Sequence, residues 1–355
     1  MPGMCGGTPV RSDEIYRQVQ KPGALYAEHH EDPNQATRHG GWHLKSLVRS
    51  ALILTSFAGF ILQTACTCEA PLRLRLGMMR SAGCSPLALA IEQKIFQDQN
   101  LAVEVQTLDD VAAFSKTQFD IVCMNLAELL VQQDNYQVVT IPSVSHGADV
   151  LVARKDAGTD LNDLKGARIG VPPISMGHLL LRQALAQHQL TPEDFTVLPL
   201  DSADLDEALQ KSEIQLAVTA PPVSLRILQN LNSQVLFRST DYPDRILDTV
   251  AIRAEVLMKW PQLAVKWEKA WQNLEAWRAD QEETALSFMA KSSGLPVTTL
   301  QQDYKFLTLA AQRDYLAPEG RLLPLIKEIQ SSLVQAGSLK IRREPQRYLF
   351  IPTPK

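Results

Sequence analysis

The chain has 355 residues, 45% of them hydrophobic and 21% charged, with a net charge of −4 and a pI near 6.0. That size and balance suit a soluble globular protein of two domains or lobes with a sizeable core. Lys and Arg are scattered rather than clustered, and without a basic field nucleic acid is excluded as a partner.

Residues 1–41 are polar and lack periodicity, so they read as a disordered or unused upstream extension outside the fold. Residues 42–66 read as an export signal. Lys45 and Arg49 precede the apolar run Ala51 to Leu62, and the small residues of QTACTC follow. The run falls short of the ~20 residues that span a bilayer, which favours a signal over a membrane helix. LQTAC resembles a lipoprotein signal box with Cys66 as the acylated residue, although Gln63 stands where that box has an aliphatic side chain; simple cleavage is the alternative. Either way the mature chain is expected in the periplasm or at the extracytoplasmic membrane face. Beyond the signal, Cys68 lies near the new terminus and Cys84 and Cys123 lie inside the fold. A Cys84–Cys123 bridge is open, no disulfide framework is expected, and no metal site or cofactor is signalled.

From Leu72 onward the chain alternates strand-like and helix-like segments. LRLRLGMM is a strand, PLALAIEQKIF a helix, LAVEVQT a strand, DDVAAFSK a short helix, and FDIVCM and YQVVTIPSV are strands. The pattern then recurs. ARIGV, DFTVLPL, IQLAVTA and SQVLFRS read as strands, with helices at GHLLLRQALAQHQL and DLDEALQKS. Val111 to Met124 can be laid over Asp206 to Thr219 in register, which points to two similar α/β lobes with largely parallel sheets. Lobe one takes 72–149 plus 254–355, lobe two takes 150–253, and crossings near Val150 to Arg154 and Thr249 to Arg253 form a hinge. The remainder, Lys259 to Gly337, reads as helices packed on lobe one. Trp260, Trp267, Trp271 and Trp277 are read there as core, and the last residues as a peripheral tail.

PLALAIEQKIFQDQNLAVEV, FDIVCM, DLKGARIGVPPISMGHLLLRQAL and EALQKSEIQLAVTAPPVS resemble the extracytoplasmic solute-binding proteins of the nitrate, sulfonate and taurine importers and their thiamine-pyrimidine-precursor relatives. The resemblance spans roughly Leu72 to Val256. It implies a type II periplasmic-binding-protein fold whose lobes close on one small molecule. The chain departs from the family pattern at Lys94, Ile95, Asn100-Leu101 and Gln215, away from the expected cleft.

Ligands in open α/β sheets bind beyond the carboxyl ends of strands. GVPPISMGHLLL places a helix opening directly after a strand, where free N–H groups and the helix dipole favour an anion. Ser175 is read as its N-cap, Met176 and Gly177 as its backbone approach, and His178 as a donor or charge. The equivalent loop of lobe one offers Arg80 and Ser81. Other strand ends in the layer carry Asn125, Ser143, Ser145, Thr219, Thr240, Asp241 and Tyr242, with His146 beside them. Each has a plainer reading as a cap, turn or surface residue.

G-x-S-x-G, Walker, H-E-x-x-H and paired-carboxylate motifs are missing from the sequence, so an enzyme is not expected. The expected function is a monomeric solute-binding subunit of an ABC importer. It would take a small solute, read as anionic (sulfonate, nitrate or carboxylate), hand it to a permease, and attach to the membrane through a lipid anchor. A pyrimidine-precursor binder or a ligand sensor that signals to a membrane receptor is the alternative.

Overall fold

The computed structural model describes residues 70–351, apart from 110, 133 and 134; the export signal and Cys66 lie outside the described residues. The chain runs through β1 (Leu72–Met79), α1 (Ser85–Glu92), β2 (Leu101–Leu108), β3 (Ile121–Asn125), α2 (Leu126–Val131), β4 (Tyr136–Thr140) and β5 (Ser143–Ser145). It then crosses into β6 (Val150–Arg154), β7 (Arg168–Val171), α3 (Gly177–Gln187), β8 (Thr196–Pro199), α4 (Leu205–Gln210), β9 (Leu216–Thr219), α5 (Val223–Asn230) and β10 (Ser233–Arg238). The return leg is β11 (Asp248–Arg253), α6 (Ala254–Lys259), α7 (Leu263–Asp280), α8 (Glu282–Ser293), α9 (Val297–Asp303), β12 (Tyr304–Phe306), α10 (Leu309–Leu316) and α11 (Leu322–Gln335).

Local sequence explains most of these elements. In β1 the leucines of LRLRL alternate with arginines, and Leu74 and Leu76 are buried while Arg73 and Arg75 are exposed. β3 reads IVCMN and is buried from Ile121 to Met124, as expected for a central strand covered on both faces. Leu179, Leu180, Leu181, Ala184 and Leu185 bury one face of α3.

Two five-stranded sheets result, in the orders β2-β1-β3-β11-β4 and β8-β7-β9-β6-β10. They match strand for strand. In each, three parallel strands are followed by an antiparallel strand that has come from the other lobe: β11 beside β3, and β6 beside β9. The register shows why that strand is antiparallel. Asp248 at the start of β11 pairs with Asn125 at the end of β3, and Val150 at the start of β6 pairs with Thr219 at the end of β9. A chain crossing between lobes enters each sheet at its carboxyl edge, so it must run back against the parallel strands. The sheets are therefore mixed rather than largely parallel. β11 belongs to the first sheet, which moves the lobe boundary from 253 to before 248 and places the crossings at 146–149 and 239–247.

The return leg differs from expectation in three places. Residues 304–306 form a strand, β12, against β5, where a helix was expected. α11 packs on both lobes: its Leu325, Ile326, Ile329 and Leu333 share one core with Leu126 and Leu130 of α2 and with Leu181 and Ala184 of α3. The chain end is no peripheral tail, since Tyr348 and Leu349 are buried and Leu349 bridges to Val138 of β4.

The tryptophan segment divides. Trp267 and Trp271 are each 1% exposed, and Trp267 donates its Nε1–H to Thr140 Oγ1 at 2.9 Å while stacking on Phe96. Burial of such a ring stabilises the fold by about 5 kcal/mol at the usual apolar transfer rate. Trp260 is 41% exposed and lies outside that core.

Candidate functional site

The carboxyl ends of β3 and β9 and the two crossings meet at the junction of the lobes. At β3, Asn125 caps α2 in a reciprocal box: Glu128 N–H donates to Asn125 Oδ1 at 2.9 Å and Asn125 N–H donates to Glu128 Oε2 at 3.0 Å. Beside it, Asp248 Oδ2 accepts from the Ser143 hydroxyl at 2.8 Å. The loop after β1 lies directly against that carboxylate, and a Cβ on Gly83 would sit 1.8 Å from Asp248 Oδ2. Only glycine permits that approach. Gly83→Ala is expected to destabilise the protein by about 1–3 kcal/mol, the usual cost of forcing an atom into a packed site; an unchanged denaturant midpoint would show the carboxylate free to turn aside.

Serines join the crossings to one another. Ser145 Oγ lies 2.8 Å from Ser239 Oγ, Ser239 Oγ accepts from Gly147 N–H at 2.6 Å, and Ser145 Oγ accepts from Asp149 N–H at 3.1 Å. His146 N–H donates to the Asp303 carbonyl at 2.7 Å, which ties the first crossing to the end of α9.

The electrostatics of this junction are acidic. Burial pushes Asp149 and Asp248 up to about 6 and Glu128 up to about 8, and the neighbouring carboxylates add to the last two. All three are surrounded by protein yet keep some accessible surface, the signature of side chains lining a crevice. Asn125, Ser143 and Ser145 were legible in the sequence as strand-end polar groups; the carboxylates were not singled out. Signals existed: Asn125-x-x-Glu128 is a capping-box spacing, and Asp149 and Asp248 each stand just before an apolar strand.

The other expected site residues are engaged elsewhere. Arg80 is exposed and paired with Asp109, Nε to Oδ1 2.8 Å, so its charge is already answered. Ser81 Oγ accepts from Cys84 N–H at 3.2 Å in the same loop. α3 begins at Gly177 with Met176, not Ser175, at the cap, because Met176 is drawn into the core at 2% exposure. Ser175 Oγ donates to the Pro172 carbonyl at 2.9 Å and accepts from Gly177 N–H at 3.2 Å. Gly177 itself packs against Val218, where a Cβ would lie 3.0 Å from Cγ1.

His178 departs furthest from its expected role. Its Nε2 donates to the Pro173 carbonyl at 3.1 Å, and burial pushes its pKa below the usual histidine range, so it carries no charge at neutral pH. It lines a cavity of about 230 Å³ with Arg182, Glu193, Pro199 and Gln335, between α3, β8 and α11. Thr219 is buried and bonds to the neighbouring Ala220 carbonyl. Thr240 is exposed, and Asp241 accepts from Arg238 N–H at 2.8 Å in an exposed turn. The Tyr242 hydroxyl donates to Glu328 Oε1 of α11 at 2.6 Å, and its ionisation is pushed up by burial and by that carboxylate.

Residues 82–255, which carry the β1 loop, both crossings and all of lobe two, match the family described as NMT1/THI5 like. The match takes in just under half of the chain. Solved structures extend the likeness beyond the matched residues to the fold as a whole. The periplasmic aliphatic sulphonate binding protein SsuA of Escherichia coli superposes with a TM-score of 0.61 at 16% identity, covering 80% of this chain and 93% of that one. The periplasmic nitrate-binding protein NrtA of Synechocystis gives 0.57 at 13%, covering 78% and 84%. The fold is thus the two-lobed type II fold of periplasmic binding proteins. Among curated relatives, a Brucella abortus protein named as a binding protein is 24% identical over 217 residues, 60% of this chain and 67% of that protein. The nitrate import ATP-binding protein NrtC of Synechococcus elongatus is 30% identical over 165 residues, 40% of this chain and 25% of NrtC. The junction described above thus lies within the matched residues, beside the pairing of β5 with β12 of the return leg.

Proposed function

We propose that this protein is the extracytoplasmic solute-binding subunit of an ABC importer. It captures one small molecule between its lobes and presents the closed form to a permease. One observation carries this reading: two sheets of matching strand order exchange a strand each, and their polar strand ends meet at two crossings joined through Ser145 and Ser239. Closure about these crossings brings both lobes onto the same ligand, which favours the closed form when solute is bound.

The relatives named for sulfonate and nitrate support a solute with an acidic group, and the amino end of α3 is the place where backbone N–H groups and the helix dipole would receive it. The Cys84–Cys123 disulfide agrees with an oxidising compartment. Export, acylation at Cys66 and a monomeric chain complete the proposal. Native mass spectrometry of protein extracted from membranes without denaturation is expected to show one retained small molecule per chain and an N-terminus at an acylated Cys66. Protein that carries no ligand and binds none from a solute panel would refute capture, whereas an unmodified N-terminus elsewhere would remove only the anchor.

A further inference from the structure

Most of the second crossing is clamped to lobe one and its return leg. The Tyr242 hydroxyl donates to Glu328 Oε1 at 2.6 Å, and Arg245 reaches Glu328 Oε2 at 3.4 Å. Asp244 lies between Arg321 at 3.5 Å and Lys305 at 3.9 Å, and its carbonyl accepts from the Tyr315 hydroxyl at 3.3 Å. Farther along, the Ile246 carbonyl accepts from Ser145 N–H at 2.9 Å and the Leu247 carbonyl from Leu126 N–H at 3.0 Å. A stretch held at so many points moves as part of what holds it. Lobe two, for its part, is fixed as far as Arg238, which pairs with Val150 in its sheet. Bending between the lobes is therefore left to residues 239–241 in one crossing and 147–149 in the other.

These two short stretches are bonded to each other through a pair of hydroxyls. Ser239 directly follows β10 of lobe two, whereas Ser145 lies in β5, which pairs with β12 of the return leg. Both serines are buried, and their Oγ atoms are 2.8 Å apart. Ser239 also donates its N–H to the Asp149 carbonyl at 2.9 Å and accepts from Gly147 N–H, while Ser145 Oγ accepts from Asp149 N–H. Gly147 has a φ of +119°, which glycine adopts more readily than other residues. A buried hydrogen bond of this kind has no water to replace it, so losing one partner leaves the other groups unsatisfied.

We propose that the Ser145–Ser239 pair is a latch on the bending axis of the lobes, which keeps their relative motion to rotation about residues 147–149 and 239–241 while 242–247 ride with lobe one. Points near an axis are displaced little by a rotation, so this bond persists as the lobes close. Contacts far from the axis change partners instead: those between lobe two and the end of α11, Arg182 with Gln335 and the Pro173 carbonyl with Ser338, are the ones that exchange. Its purpose rests on solute capture between the lobes, but its test needs no solute.

Pulsed electron–electron distance measurement on the full chain without solute provides that test. Spin labels are carried on ketone-bearing residues in place of the exposed Gln272 of α7 and Gln210 of α4, so that the native cysteines stay untouched. Ser239→Ala is expected to widen the distribution of distances between the lobes by about 1.5-fold or more, because the ensemble is no longer held to one rotation. Ser145→Ala should do the same, and the double variant should be no wider than the wider single one, since both act through one bond. Ser239→Cys, which keeps the shape and weakens the bond, carries the same expectation should the alanine variant not fold. Tyr242→Phe removes a bond within the clamped stretch and should leave the wild-type width. A wild-type width in the Ser239 variants overturns the latch, and equal widening by Tyr242→Phe overturns the placement of the axis. Both results leave solute capture standing, and a protein that binds no solute leaves the latch standing.

Discussion

Reduction of the Cys84–Cys123 bond is expected to lower the unfolding free energy by about 4 kcal/mol. The bond closes a loop of 39 residues, and the chain entropy that such a closure removes from the unfolded state corresponds to about that much. Both cysteines are buried, Cys84 at the start of α1 and Cys123 in the middle of β3, so each thiol stays in its packed site when the bond is cut. The loss is therefore expected to come from the unfolded ensemble, with little change in the folded core. Urea titrations of the oxidised protein, the reduced protein and a Cys84→Ser/Cys123→Ser variant measure it. A loss under about 1 kcal/mol in all of them would mean that the unfolded chain is already constrained between β1 and β3.

Asp248→Asn is expected to stabilise the protein at pH 8 by about 2 kcal/mol. Asp248 keeps its proton to about pH 6 in the folded protein, against an ordinary 3.8. The unfolded chain therefore ionises first, and the stability present below pH 4 is lost as pH rises through 6. That difference is worth about 3 kcal/mol, and partial exposure of the side chain reduces it. Asparagine cannot ionise, and it also relieves Glu128, whose ionisation Asp248 opposes. Other groups titrate too: His178 is held neutral in the fold and acts with the opposite sign near pH 6.5. The comparison that isolates Asp248 is the stability of variant minus wild type, which should be near zero at pH 4 and positive at pH 8. A variant less stable than wild type at pH 8 would show that the charged Asp248 is satisfied inside the unliganded protein.

Much of the architecture was legible from local pattern alone. LRLRLGMM declares a half-buried strand, FDIVCM a fully buried one, and GHLLLRQAL an amphipathic helix, because side-chain periodicity depends only on which face of an element meets the core. The match of Val111 to Met124 with Asp206 to Thr219 pointed to two alike lobes, and β3 and β9 do occupy the same place in their sheets. Asn125, Ser143 and Ser145 were also readable, since polar residues at strand ends are exceptions to the apolar pattern.

What the sequence could not decide depends on partners distant along the chain. Arg80 reads as free until Asp109 is placed 2.8 Å away, and Ser175 reads as a cap until Met176 is drawn into the core. The strand at 304–306 exists because β5 offers an edge, and nothing in LQQDYKFL by itself announces it. Asp149 and Asp248 are 99 positions apart in the sequence, each an ordinary polar residue before a strand. Only the crossing of the two lobes brings them together beside Glu128 and Tyr304. Periodicity and turn chemistry act over a few residues and survive in a single sequence, whereas charge, burial and countercharge are properties of the assembled space, and tertiary structure alone decides them.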